Sequence, residues 1–194
     1  MNTLVVSASR SGSTYVSERL KDSNNIDYNL YEDFNVALIS TKYYDDFCNK
    51  WKSNNCIAKI QVPRDWRDGL GNTWLKNNLH QAEVYYLSRP RVEHILDLIS
   101  ASQETSIAED WEDNPTNTVV SDVAQIIEYH NHLNFVDSII SEMKEINNGY
   151  DITLKEIKDK DEKNQPKRMY NYINDIPQYQ HLDVKEAVSL IINT

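Results

Sequence analysis

The first twenty residues place a loop of small residues between an apolar run and an amphipathic segment. The run Leu4-Val5-Val6 predicts a strand, SASRSGST predicts a loop, and residues 15–20 have the apolar spacing of a helix. A junction of this kind aims the unpaired backbone N–H groups of the helix, and the positive end of its dipole, at one point. The start of the chain therefore predicts a strand–helix unit with a site suited to an anion.

The residues of this loop have the properties that a phosphate ligand requires. Gly12 lets a ligand approach the backbone closely, and Arg10 adds positive charge. Ser13 and Thr14 add hydroxyl donors and can cap the following helix. A plain strand–helix turn with a Ser or Thr cap explains the loop equally well, so the loop alone does not decide between the two interpretations.

Strand and helix signals continue to alternate along the chain. Parallel strands need crossover connections such as helices, so the pattern predicts the α/β class. We expect three layers, with a mostly parallel central sheet of about five strands flanked by helices, in a single domain over residues 1–194. Further strands are predicted at residues 27–31, 56–62, 82–87 and 150–154, helices after Pro90, at 119–146 and at 184–192, and loops at 35–55, 63–75 and 103–118. The charged segment 155–168 is predicted to be a solvated loop or an exposed helix edge.

Composition excludes several classes of function. The formal charge is −10, which argues against a nucleic-acid or anionic-membrane binder. The chain has no run of about 18 apolar residues and no signal-peptide pattern at its start, so we expect neither a membrane span nor export. Cys48 and Cys56 are too few for a disulfide framework, and we expect free thiols in the cytoplasm.

Common nucleotide and metal motifs are absent from the sequence. Gly12 is followed by Ser13, whereas nucleotide triphosphatases have Gly-Lys at this point, so a small-molecule kinase is disfavoured. A single glycine does not make a dinucleotide-binding fingerprint. His130 and His132 have the wrong spacing to share a helix face, and we expect no metal site.

Two segments resemble the sulfotransferases that use 3′-phosphoadenosine 5′-phosphosulfate (PAPS). Arg10-Ser11-Gly12-Ser13-Thr14 matches the [RK]-x-G-[ST]-[ST] loop of that family. The later segment VYYLSRPRVEHILDLISAS is similar to its second signature, a strand that ends in an arginine, here Arg89, followed by a helix. The family has serine eight residues after that arginine, where this chain has Asp97. Ser100 lies on about the same helix face and can supply a hydroxyl instead.

The resemblance implies a nucleotide-kinase-like, P-loop-like fold that binds a nucleotide, and it implies a role for each matching residue. Arg10 and the N–H groups from Ser11 to Thr14 would stabilise the 5′-phosphate leaving group, and Arg89 with Ser100 would bind the 3′-phosphate. Glu32, in a segment similar to the family's Glu-x-Phe, would be the general base, although a solvated loop carboxylate is an equally good interpretation. Lys59 resembles the lysine of the family's third strand.

Two functions from different classes follow from the resemblance. The first is a PAPS-dependent transferase, a sulfotransferase acting on a hydroxyl or amine of a small-molecule or glycan acceptor. The second is a catalytically silent homologue that binds a nucleotide or a partner on the same scaffold. The intact RSGST loop favours the first, and Asp97 favours the second. Neither the acceptor nor the oligomeric state is predicted by the sequence.

Overall fold

Strands and helices alternate along the chain in the computed structural model, which describes residues 1–30, 41–53, 55–62, 69–103, 118–120, 123–154, 156, 170–173, 179 and 181–194. Their order is β1 Thr3–Ala8, α1 Ser13–Asn24, β2 Tyr28–Asn29, α2 Thr41–Lys52, β3 Cys56–Val62, α3 Gly69–Asn78, a 3₁₀ turn Leu79–Gln81, β4 Glu83–Ser88, α4 Arg91–Gln103, β5 Thr118–Val120, α5 Val123–Ile146, β6 Tyr150–Thr153, β7 Tyr170–Ile173 and α6 Val184–Ile192.

The main sheet is parallel throughout and has the strand order β2-β3-β1-β4-β6. Its four longer strands have four to seven residues, and the two-residue β2 pairs with β3 at the edge. In the register of the three central strands, Val5 lies between Lys59 of β3 and Tyr85 of β4. The predicted α/β class, with helices flanking a parallel sheet, is confirmed.

The described residues divide into two compact units. The first comprises Met1–Ser88 and Phe135–Ile157, and the second comprises Arg89–Asn134 and Lys158–Thr194. The main sheet belongs entirely to the first unit. The single domain over residues 1–194 stays a prediction, and each unit is described by itself below.

The core of the first unit forms around the central strand. All six residues of β1 are buried, as expected for a parallel strand that is covered on both faces. One core cluster joins the sheet to α1 and to the turn after β6. Its fully packed members are Val5, Val16, Ile26, Ile57, Leu87 and Leu154.

Two helices of the first unit lie in segments that were predicted to be loops. Residues 41–52 and 69–78 are helices α2 and α3, where loops were expected. They are held by three buried aromatic rings: Trp74 meets both Phe47 and Trp51 edge-to-face, at centroid distances of 5.0 Å. Burying large aromatic side chains of this kind stabilises helices whose remaining residues are mostly polar.

The turn between α5 and β6 is fixed by one asparagine of the first unit. Asn147 Nδ2 donates to the carbonyl oxygens of Leu79 and Ala82, at 2.7 and 3.0 Å, and its Oδ1 accepts from Gly149 N. Tyr86 Oη donates to the Asn147 carbonyl at 2.7 Å. Helix α5 ends at Ile146, the predicted last residue, and Asn147 makes the turn that follows it.

The second unit has its own small core. Strands β5 and β7 pair in parallel, β5 contacts α4, and α6 contacts both α4 and β7. The buried face of α6 repeats at helical intervals, and Asp183 caps its first turn by accepting a hydrogen bond from Lys185 N. The helix α6 was predicted with its observed bounds.

No helix in the described part of the chain is both long and apolar enough to cross a membrane.

Candidate functional site

The loop between β1 and α1 has an unusual backbone. Arg10 and Gly12 both have positive φ, 59° and 87°, so two of three consecutive residues are left-handed. A left-handed arginine costs on the order of 1–3 kcal/mol, and such strain clusters at functional sites. Gly12 is the N-cap of α1 and supplies no side-chain cap to the first helical N–H groups. The loop therefore leaves the positive end of α1 without the usual Ser or Asp cap.

Glycine is required at position 12 for a second reason. A β-carbon added there would lie 2.8 and 3.0 Å from the two methyl carbons of Leu154, which is only 6% exposed. These contacts are shorter than van der Waals distance, so the leucine would have to move. The loop backbone is thus packed directly against the turn that follows β6.

A buried lysine lies beside the start of α1. Lys59, in the middle of β3, is only 3% exposed, and its Nζ donates a hydrogen bond of 3.1 Å to Thr14 Oγ1. Lysine is almost never buried without a specific partner. Its ammonium group adds a positive charge at the first turn of α1, where the helix dipole has the same sign.

Lys59 was matched to the lysine of the family's third strand, but no role at the site was predicted for it. The signal was present, because a lysine inside the otherwise apolar run CIAKIQV is unexpected in a covered strand. The contact of Lys59 with Thr14 could not be predicted from the sequence, because the two residues are 45 positions apart.

Three serine hydroxyls along β1, the loop and α1 are completely buried. Ser7, Ser11 and Ser17 each bury Oγ without a hydrogen-bond partner in the part of the chain that the structure describes. An unsatisfied buried hydroxyl costs free energy, which a bound ligand or an internal water recovers by accepting a hydrogen bond. Ser11, next to the left-handed Gly12, is the one of the three that belongs to the loop.

Ser13 and Thr14 do not cap the helix, which corrects one expectation. They are the first two helical residues, after the N-cap Gly12. Ser13 is buried, and Thr14 is exposed except for its hydrogen bond with Lys59. The hydroxyls are therefore placed within the first turn, where the free N–H groups of the helix lie.

The second unit contains Arg89, directly after β4 in the chain, and Asp97 in α4. Arg89 Nη1 donates a hydrogen bond to Asp97 Oδ2, and the two side chains are 15% and 17% exposed. Ser100, one turn further along α4, is completely buried. At position 97, where the family has serine, this chain thus has a carboxylate that forms an ion pair with Arg89.

The turn after β6 begins with a reciprocal capping arrangement. Glu156 Oε2 accepts from Thr153 N at 2.7 Å and from Thr153 Oγ1 at 2.8 Å, and Glu156 N donates back to Thr153 Oγ1. These hydrogen bonds to the charged form lower the pKa of Glu156 below its ordinary value. They fix the turn that carries Leu154 against Gly12.

The predicted site residues thus fall into three groups. Arg10 to Thr14 form one loop of the first unit, together with Lys59, whereas Arg89 and Ser100 belong to the second unit. Glu32, the predicted general base, lies outside the described residues. Within the described ranges, no group of three or more His, Cys, Asp or Glu side chains could hold a metal ion.

Comparison with known proteins found no protein-family model, no curated protein and no solved structure that matches this chain significantly. The residues themselves are therefore the support for any functional assignment.

Proposed function

We propose that the protein is a sulfotransferase that transfers the sulfuryl group of PAPS to a hydroxyl or amine of a small-molecule or glycan acceptor. The proposal includes a nucleotide-kinase-like arrangement of three layers around a sheet of about five strands. The observation that carries it is the hydrogen bond from the buried Lys59 to Thr14, because it brings a positive charge to the uncapped start of α1.

The loop has the chemistry of a 5′-phosphate site. The free N–H groups of the first helical turn, the helix dipole and the cations of Arg10 and Lys59 all favour an anion. The Arg-Ser-Gly-Ser-Thr sequence favours a sulfuryl donor over a nucleoside triphosphate, since it has no lysine after the glycine. Stabilising the charge that develops on a leaving phosphate is the largest contribution that such a site can make.

In the proposed reaction the acceptor oxygen or nitrogen attacks sulfur in line with the bridging oxygen. The new bond to sulfur forms as the bond from sulfur to the bridging phosphate oxygen breaks. The acceptor proton passes to the Glu32 carboxylate. The products are the sulfated acceptor, adenosine 3′,5′-bisphosphate and one proton, first held by Glu32. Positioning and electrostatic stabilisation account for most of the rate in related phosphoryl transfers.

The donor's 3′-phosphate is assigned to Arg89, with Ser100 as a further candidate donor. Arg89 already forms an ion pair with Asp97, so a 3′-phosphate would compete with the Asp97 carboxylate for the guanidinium group. The same ion pair favours the second candidate function, a catalytically silent homologue that keeps the nucleotide site.

Calorimetric titration with adenosine 3′,5′-bisphosphate tests the donor site. We expect a Kd in the micromolar range, about −8 kcal/mol of binding free energy, and a loss of about tenfold or more in Lys59→Met. Lys52→Met, which changes an exposed lysine at the end of α2, is the matched control and should bind like the parent protein. Absence of binding to the parent protein would overturn the proposal.

Transfer of radiolabelled sulfate from PAPS to a panel of hydroxyl and amine acceptors separates the two functions. A sulfotransferase gives a labelled product, and Glu32→Gln should then lower turnover by about a hundredfold or more. Unchanged turnover in Glu32→Gln would remove that residue from the mechanism. Binding of the bisphosphate without transfer to any acceptor supports the silent homologue.

A further inference from the structure

The side chain of Leu154 lies between the core of the first unit and the loop from Arg10 to Thr14. It is 6% exposed and belongs to the core cluster that also contains Val5 and Val16. On the loop side, a β-carbon at Gly12 would lie 2.8 and 3.0 Å from its two methyl carbons. Because protein interiors are closely packed, a displacement of this leucine changes the restraint on the loop backbone.

Leu154 is enclosed by hydrogen bonds between the residue before it and Glu156. Thr153 is the last residue of β6, where it pairs with Ser88 of β4. Glu156 Oε2 accepts from Thr153 N at 2.7 Å and from Thr153 Oγ1 at 2.8 Å, and Glu156 N donates to Thr153 Oγ1 at 3.3 Å. The sheet thus fixes the residue before Leu154, and the carboxylate of Glu156 fixes the turn after it.

We propose that Glu156 is a positioning residue for the ligand loop. Its hydrogen bonds to Thr153 hold Leu154 against Gly12, and they thereby keep the loop in the conformation that leaves the first N–H groups of α1 without a side-chain cap. Glu156 acts through Thr153 and Leu154, and not by contact with the ligand. The inference rests on the proposed function for the identity of the ligand, whereas the effect on the loop is independent of it.

The backbone of the loop is sensitive to a contact of this kind. Arg10 and Gly12 both have positive φ, and such strained conformations persist only where the surrounding structure holds them. Glycine has many accessible backbone conformations and no side chain that could anchor it. The Gly12 carbonyl accepts a hydrogen bond of 3.1 Å from Val16 N. Protection of the Val16 amide from hydrogen exchange therefore reports the conformation of Gly12.

Hydrogen exchange of single amides, measured by NMR on the ligand-free protein, tests the role of Glu156. In Glu156→Ala we expect the exchange rate at Val16 to rise by about fivefold or more beyond any rise at Val5, which lies in the central strand. Glu156→Gln keeps an acceptor oxygen for Thr153, so the rate at Val16 should rise by less than about twofold. Asp183→Ala removes the N-cap of α6 in the second unit and is the matched control, with no selective rise at Val16. Equal changes at Val16 and Val5 in Glu156→Ala would assign Glu156 to stability alone and overturn the inference.

Calorimetry with adenosine 3′,5′-bisphosphate tests the consequence for binding. We expect the Kd to rise by about fivefold or more in Glu156→Ala, and by less than about twofold in Glu156→Gln and in Asp183→Ala. Thr153→Val removes the hydroxyl but keeps a β-branched side chain in the strand. It should change the exchange rate and the affinity in the same direction as Glu156→Ala, by a smaller factor. Circular dichroism identifies the variants that keep the fold.

The outcomes separate the two proposals. If the parent protein binds the bisphosphate and Glu156→Ala binds it equally well, the role of Glu156 is overturned while the proposed function stands. The same conclusion follows if Glu156→Gln behaves like Glu156→Ala, because the hydrogen bonds to Thr153 are then not the cause. If the parent protein does not bind the bisphosphate, the proposed function fails, and the exchange rates alone decide whether Glu156 positions the loop.

Discussion

The methyl groups of Leu154 pack against the α-carbon of Gly12, so that the turn after β6 closes over the loop between β1 and α1. A β-carbon at position 12 would lie 2.8 Å from the nearer methyl carbon. Gly12 also has a φ of 87°, which residues with side chains rarely adopt. The conformation of the loop and the packing of the turn therefore depend on the same residue.

Gly12→Ala is expected to destabilise the protein by about 1–3 kcal/mol, because it adds both backbone strain and a steric overlap. Urea denaturation measures the loss. Gly12→Ala combined with Leu154→Ala separates the two causes, since only the overlap is relieved in the double variant. We expect the double variant to lose less than the sum of the two single losses. Strict additivity would show that Leu154 does not restrict position 12.

Lys59→Met is expected to weaken nucleotide binding without unfolding the protein. The substitution keeps a flexible apolar stem in the core and removes only the ammonium group that contacts Thr14. An apolar side chain of similar volume also avoids the free-energy cost of burying a charge, which offsets the lost hydrogen bond to Thr14. The melting temperature should therefore stay the same or rise while the affinity for adenosine 3′,5′-bisphosphate falls. A variant with a lower melting temperature and unchanged affinity would make Lys59 a structural residue.

Ser17→Ala and Ser11→Ala should have different effects, although both remove a buried hydroxyl. Ser17 lies inside α1, so alanine removes an unpaired polar group and improves helix propensity. We expect a gain of roughly 0.5–1 kcal/mol in the free energy of unfolding and no change in nucleotide affinity. Ser11→Ala should instead lower the affinity, because the unsatisfied Ser11 hydroxyl lies in the proposed phosphate loop, where a ligand oxygen can accept its hydrogen bond. Equal affinities in the two variants would contradict that role.

The protein should lose stability as the pH rises from about 10 to about 12. Burial, followed by the nearby carboxylate of Asp151, raises the pKa of Tyr86 to about 12. In the unfolded chain the phenol titrates near 10, so within this window the folded state keeps a proton that the unfolded state has lost. The contribution of Tyr86 is fully present below pH 10 and is lost as the pH rises through 12. Tyr86→Phe should flatten this part of the stability profile more than Tyr43→Phe, which changes an exposed tyrosine.

Some elements were predicted with their exact or nearly exact bounds because their signals are local. Strand β3 is a continuous apolar run followed by Pro63, and α6 has an Asp cap and a regular apolar repeat. Helix α2 was missed because its buried residues, Phe47 and Trp51, are few and are separated by charged and polar residues. Strand β5 was missed because residues 118–120 were assigned to the end of a loop and the start of a long helix, and no element was predicted at the residues of β7.

The candidate site was predicted only where it is continuous in the chain. The residues from Arg10 to Thr14 lie close together simply because they are adjacent in the chain. The contact of Lys59 with Thr14 and that of Leu154 with Gly12 depend on strand order, which the sequence does not state. The ion pair of Arg89 with Asp97 joins residues only eight positions apart, yet it was not predicted, because Asp97 was noted only as a departure from the family's serine.

The central position of β1 also determines when the loop can become structured during synthesis. Strand β1 pairs with two strands that come later in the chain and begin at residues 56 and 83. Contacts over such distances form slowly, because the intervening chain must first close into large loops. A nascent chain that ends before β4 lacks the strand that holds one side of β1, so the loop acquires its final shape only after Glu83–Ser88 has emerged.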